Sequence, residues 1–422
     1  MADVVWQLAF SIAIVFALRD ALDDARWAAF GPIAIVGAYF AGSSPWHLLQ
    51  VEELAGLPLF CTAWCAIAAL GSERHRRFLA FASGIAAGIT ILFKLLFVGI
   101  AVAVTLAALA IYRRNLGTRS AGAFVAAWCI GACVPIAVFA AYALSLGVAR
   151  DVVQTFFVLP FELVASPAHA PIARLADSAL RFVLYFRGIV FLALVGVFVH
   201  DAGTRTWRIV SLVWLVVAAI TIVVQSDSWW QYHFLLLLPP VGVLATCALA
   251  AVARRIRSSG LAGFAWLGLC GVAAYVAVPL PQGAIDDAIR VARERPYASA
   301  ARLERYRELS SPEYAQAGRD AAFLRATNDR SDVYVFGNPL IYVLGERGQA
   351  VAMNGWALQL YTPPMWDRLN GELRSTRPAA VFVLGAYADG LLARDAPAIA
   401  ALLARHYATA TTTADGTWLR TR

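Results

Sequence analysis

Lysine is almost missing from this chain of 422 residues: of 35 basic side chains only Lys94 is lysine, and the other 34 are arginine. Charge of either sign is scarce, at 15% of residues against about 25% in soluble domains. Cysteine occurs six times and never beyond Cys270, which excludes a disulfide scaffold in the final third. No glycine-rich phosphate loop, zinc motif or nucleophile elbow is present, nor any internal repeat or low-complexity segment. The apolar residues, in contrast, reach 60% and the mean hydropathy is +0.66. They come in runs long enough to cross a bilayer, so an ordinary soluble protein is excluded. A net charge of +8 would suit nucleic acid. The arginines, however, sit in short clusters between apolar runs, a pattern of membrane topology, and no nucleic-acid partner is expected.

The runs fall near residues 4–18, 27–42, 54–70, 78–93, 95–112, 121–146, 186–200, 209–225, 233–252 and 261–280. They predict a polytopic α-helical membrane protein of about ten spans over residues 1–280. The stretch 78–112 would be about 52 Å as one helix, far more than the bilayer core, so it predicts a hairpin with Lys94 near its turn. Alternate loops carry Arg19, Arg26, Arg74, Arg76, Arg77, Arg113, Arg114, Arg119, Arg205, Arg208, Arg254, Arg255 and Arg257. The positive-inside rule puts these in the cytoplasm. Glu53, Lys94, residues 147–185, 226–232 and everything after 280 then face outward. Ten spans with an outward C-terminus need an outward N-terminus, yet the chain begins Met-Ala-Asp-Val-Val-Trp and enters the membrane at once. A preceding span would restore the parity, so an N-terminally truncated product is expected.

From residue 281 to 422 the composition turns polar. "EYAQAGRDAAFLRATN" predicts an amphipathic helix, and "SDVYVFG" and "AAVFVLG" predict short buried strands. "PPMWDRLNGELRSTRP" is helix-like. Together they predict a C-terminal extracytoplasmic α/β domain.

Candidate chemistry lies at the outward ends of the spans. Lys94 in "ITILFKLLFVGI" either snorkels to the headgroups or holds a lipid phosphate. Glu52 and Glu53 are adjacent and point about 100° apart on a helix, so they do not face one substrate as an acid/base pair. One of them is either solvated interfacial charge or a cleft residue that binds sugar hydroxyls. In "QSDSWWQYHFLLLLPP", Trp229, Trp230 and Tyr232 suit an aromatic belt, while Asp227 and His233 add polar groups at the same depth. Pro239 and Pro240 predict a kink. The segment "VVQTFFVLPFELV", broken by Pro160 with Glu162 beside it, is apolar enough to lie in the interface. His169 reads as an exposed loop residue. The pairs Cys61/Cys65 and Cys129/Cys133 share helix faces, but with no nearby histidine or carboxylate they read as packing residues, and no metal or cofactor is expected.

"SPWHLLQVEELAGLPLFCTAW", an arginine-rich turn and "GIAAGITILFKLLFVGIAV" together resemble the core of the GT-C-type membrane glycosyltransferases. The branch they resemble is that of the protein mannosyltransferases and aminoarabinose transferases. "QYHFLLLLPPVGVLA" resembles the family's late span, and "DVYVFGNPLIYVLGERGQA" with "RPAAVFVLG" its extracytoplasmic domain. The resemblance implies transfer of a sugar from a polyprenyl-phosphate donor to a glycan, lipid or protein acceptor at the outer face of the inner membrane. By that resemblance Lys94 meets the donor phosphate, Tyr232 and His233 sit near it, and Glu53 lines the cleft; Asp227, at the same depth, is a further cleft candidate. The family's catalytic carboxylate sits in a first outer loop that this chain lacks. Asp3 is too close to the following span to replace it, and Asp23 and Asp24 fall on the cytoplasmic side. The expectation is a chain without its general base, with a lipid-carrier flippase or a non-catalytic assembly protein as the alternatives.

Overall fold

The computed structural model describes residues 2–22, 25–42, 49–112, 117–165, 171–199, 202–225, 229–258, 268, 289–327, 329–358 and 361–422. The chain divides into two compact units, Met1–Asp287 and Ala288–Arg422.

The first unit is helical, and the chain is a polytopic membrane protein. Among the described residues seven helices are long and apolar enough to cross a bilayer: Asp3–Leu22, Val51–Gly71, Arg76–Phe93, Leu95–Tyr112, Thr118–Ser145, Arg205–Val224 and Gln231–Arg255. An eighth candidate is a pair, Ile172–Tyr185 and Arg187–Phe198, bent by 88° at Phe186. The predicted span 27–42 is instead a series of short helical pieces, with a π-helical turn at Ile33–Gly37 directly after Pro32. Proline has no N–H to give, and the wider turn absorbs the lost register. The predicted span 261–280 lies outside the described residues apart from Gly268. Pro160 does not break its segment. The helical path runs through Gln154–Val158 and Leu159–Ala165, again with a π-turn just ahead of the proline. Pro239 and Pro240 follow a seven-residue 3-10 stretch, Gln231–Leu237, that gives way to α-helix at Leu238. That change of helix type is the adjustment the two prolines require.

Lipid offers no hydrophobic drive between helices, so close approach of backbones must hold them together. Gly84 and Gly88 on Arg76–Phe93 face Gly131 and Ala132 on Thr118–Ser145. A Cβ at Gly84 would lie 2.0 Å from the Trp128 carbonyl oxygen, and one at Gly131 would lie 2.1 Å from that of Phe81. Gly196 makes a similar approach to the Leu244 carbonyl, where a Cβ would come within 2.4 Å. Gln231–Arg255 is the most enclosed span, 89% buried in its most apolar window, and forms the post around which the others pack.

The second unit is a four-stranded sheet of order β1-β2-β4-β3. β1 is Tyr334–Phe336, β2 Ala380–Leu384, β3 Tyr407–Thr412 and β4 Gly416–Thr421. β1 and β2 are parallel, and the other pairings are antiparallel. Alternation along β1 and β2 sends Tyr334, Phe336, Val381 and Val383 to one face, against Trp366, Leu369 and Leu373 of helix Pro363–Thr376. Val335, Phe382 and Trp418 go to the other, against Ala317, Ala321 and Leu324 of helix Pro312–Ala326. Both faces are covered, so these strands read as continuous apolar runs. The two predicted strands are β1 and β2. The β3–β4 hairpin is an addition, because "YATATTTADGTWLRT" carries too few large apolar residues to announce itself.

Gly131→Leu is expected to push the two helices apart and cost about 1–3 kcal/mol or more. Gly122→Leu, where an added Cβ meets nothing within 4 Å, is expected to be close to neutral. Thermal unfolding of the two variants, followed by retention of monodispersity, checks the difference.

Candidate functional site

The site forms where helix ends meet. Arg76–Phe93 stops at Lys94, whose φ of −162° and ψ of 125° are extended, and a 3-10 turn, Leu95–Phe97, follows. One extended residue between two helices is what separates the predicted hairpin arms, and it carries the single lysine. Lys94 Nζ lies 3.0 Å from Glu52 Oε1, donates to Gln225 Oε1 and sits 5.9 Å from the centroid of the Phe97 ring. Glu52 comes from the first turn of Val51–Leu54. Gln225 is the residue just past Arg205–Val224, and its amide nitrogen is anchored on the Thr221 carbonyl oxygen at 3.1 Å.

His233 enters from the opposite side. Its Nε2 is 3.8 Å from the same Glu52 oxygen, and the Tyr232 ring stands edge-on to its imidazole with centroids 4.6 Å apart. Trp229, in the left-handed region at φ 43°, lies just ahead of this stretch. A bulky residue is rarely found there. It is held by its indole N–H on the Val223 carbonyl, 3.2 Å, and by the Ser178 hydroxyl donating to its own carbonyl, 2.9 Å. On the same rim, the Arg174 guanidinium lies 4.9 Å above the Trp230 ring.

Glu52 is 1% exposed and His233 3%, whereas the Lys94 side chain is 30% exposed. The lysine is thus the reachable end of a buried pair. Glu52 Oε2 and His233 Nδ1 have no hydrogen-bond partner among the described residues.

Glu53 faces the other way. It accepts from the Gln7 amide, which also reaches Asp3 at 3.5 Å. Tyr39 donates to Asp3 at 3.5 Å and accepts from the Leu49 N–H at 3.0 Å. The two adjacent glutamates therefore serve two separate groups, as their angular separation on the helix requires. Lys94, Tyr232 and His233, which the sequence singles out, come together. Glu53 stands next to them but is directed elsewhere, and Asp227 lies outside the described residues, as does His169. Sequence reasoning misses the roles of Glu52 and Gln225 around Lys94, and those of Gln7 and Tyr39 around Glu53. It also sets Asp3 aside, yet Asp3 belongs to the Glu53 group. Neutral polar residues inside apolar runs are the signal that could have found Gln7 and Gln225, since a bilayer span rarely spends one without a partner. Among the described residues no three histidine, cysteine, aspartate or glutamate side chains converge as metal ligands.

No protein-family model and no curated protein matches this chain. Among solved structures it is similar to ArnT from Cupriavidus metallidurans bound to undecaprenyl phosphate, with a TM-score of 0.58 and 15% identity. That similarity covers 99% of this chain and 83% of ArnT. The apo state of the same ArnT gives a TM-score of 0.55 and 14% identity over 98% of this chain and 83% of that one. The chain has the GT-C-type glycosyltransferase fold.

Lys94→Met leaves the buried Glu52 carboxylate without its cation and is expected to destabilise the protein by about 3–5 kcal/mol. Adding Glu52→Gln to it is expected to recover most of that loss. Thermal unfolding of the two single variants and the double variant measures the coupling; additive losses would mean the pair is not a unit.

Proposed function

We propose that this protein transfers a sugar from a polyprenyl-phosphate-linked donor to a glycan, lipid or protein acceptor, with Lys94 holding the donor phosphate. The observation that carries the reading is the reachable ammonium of Lys94, fixed at a junction of helix ends by the buried Glu52 and by Gln225. The fold shared with a glycosyltransferase whose structure contains undecaprenyl phosphate supports it. In this reading the donor's tail lies along the apolar helices, and the phosphate replaces Glu52 as the partner of Lys94. Tyr232 and His233 close the phosphate side, while Glu53 lines the cleft toward the acceptor. A glycosyl phosphate leaves as an anion, and a fixed cation at the departing oxygens favours that charge in the transition state. The arginine distribution supports a multi-pass protein of the inner membrane, with the site and the C-terminal domain outside the cytoplasm.

Membranes carrying the chain, incubated with radiolabelled polyprenyl-phosphate sugars, test the reading. Transfer into lipid, glycan or protein fractions is expected, an outcome that would also overturn the expectation of a chain without its general base. Lys94→Ala is expected to reduce it by about 10²–10³-fold, the loss typical of removing one charge-stabilising donor. Transfer that survives Lys94→Ala unchanged, or no transfer from any polyprenyl-phosphate sugar, would contradict it.

A further inference from the structure

The half of the site behind Glu53 is built on the carboxyl groups of Glu53 and Asp3, so its chemistry is of the opposite sign to that at Lys94. Gln7 and Glu53 are 1% and 6% exposed, and both line a cavity walled by Phe10, Tyr39, Leu235 and Pro239. The Gln7 amide nitrogen is committed to Glu53 and Asp3. Gln7 Oε1 and Glu53 Oε2 are left with no hydrogen-bond partner among the described residues. Both are acceptors, and a buried acceptor without a donor is costly, all the more on a carboxylate. A partner for these two atoms would donate hydrogen bonds, and beside the Glu53 and Asp3 carboxyl groups an anion is disfavoured. The cavity has room for about one water-sized group, enough for a terminal hydroxyl or ammonium and too little for a whole headgroup. Apart from the Tyr39 hydroxyl, the remaining walls are hydrocarbon, which suits a group carried on an apolar chain.

We propose that the Gln7–Glu53 cavity is a binding subsite for the terminal hydroxyl or ammonium of an amphiphile, separate from the phosphate site at Lys94. The Glu52–Glu53 dipeptide is the partition between them. One carboxylate counters the cation that meets an anion, and the other accepts from a neutral or cationic donor. On the sugar-transfer reading, on which only this identification rests, the second subsite receives the acceptor lipid.

The full chain in phosphatidylcholine nanodiscs, examined by native mass spectrometry, tests this with four probes: dodecan-1-ol, dodecylamine, dodecyl methyl ether and dodecyl phosphate. Saturable binding of the alcohol or the amine is expected, at least about tenfold tighter than the ether, which cannot donate. Glu53→Gln is expected to weaken the amine by about tenfold or more, and Gln7→Met to weaken whichever donor binds. Lys94→Met, combined with Glu52→Gln so that no buried carboxylate is stranded, is expected to weaken only dodecyl phosphate. The wild-type comparison of alcohol and amine with ether needs no variant, so it stands even if Gln7→Met or Glu53→Gln fails to fold. Equal binding of all three non-phosphate probes would overturn the subsite. So would donor binding that is indifferent to folded Gln7 and Glu53 variants. Phosphate binding that ignores Lys94→Met with Glu52→Gln, with donor binding still governed by Glu53, would instead remove the donor-phosphate assignment and leave the subsite.

Discussion

A buried carboxylate cannot stand alone in a membrane protein, and Glu52 is buried. Its charge must be met, and Lys94 meets it from the end of another helix. Helix Arg76–Phe93 stops immediately before Lys94, whose backbone is extended. Gln225 has to end its own span at the same depth, and His233 has to follow Trp229 into the adjacent gap. One ion pair thus ties together the ends of Val51–Gly71, Arg76–Phe93, Arg205–Val224 and Gln231–Arg255. Replacing such a pair with apolar residues need not weaken a protein, so stability alone does not account for it.

The packing beneath that junction leaves little freedom to move it. Gly84, Gly88 and Gly131 let two helices touch backbone to backbone, and Gly196 does the same against the helix that carries His233. Helices so closely seated hold their ends in fixed relation, which a site assembled from side chains on separate helices needs. Three of the pieces that depart from regular α-helix, the π-turns at Ile33–Gly37 and Gln154–Val158 and the 3-10 stretch Gln231–Leu237, lie beside prolines, whereas the 3-10 turn Leu95–Phe97 does not.

Much of this was legible in the sequence, for reasons specific to the residues. Membrane-spanning helices announce themselves by apolar length, and Lys94 by being a lone lysine in an apolar run. β1 and β2 of the C-terminal unit are apolar on both faces and stand out, whereas the β3–β4 hairpin, rich in threonine and alanine, does not. Sequence spacing showed that Glu52 and Glu53 could not share a partner, but not which of them would face Lys94, because that depends on how Val51–Leu54 is rotated in the bundle. Gln7, Tyr39 and Gln225 carry no charge and follow no motif, so their roles appear only once the helices are packed. The span at 27–42 was legible as apolar but not as π-helical, since the lost hydrogen bond at Pro32 can be absorbed in several ways.

The account stands on the phosphate of a polyprenyl donor meeting Lys94. The most direct measurement is a cryo-electron microscopy structure of the full chain in nanodiscs with a polyprenyl phosphate added. The account predicts phosphate density within about 3 Å of Lys94 Nζ, with Glu52 drawn toward His233. Phosphate density elsewhere, with the Lys94–Glu52 contact intact, would contradict it.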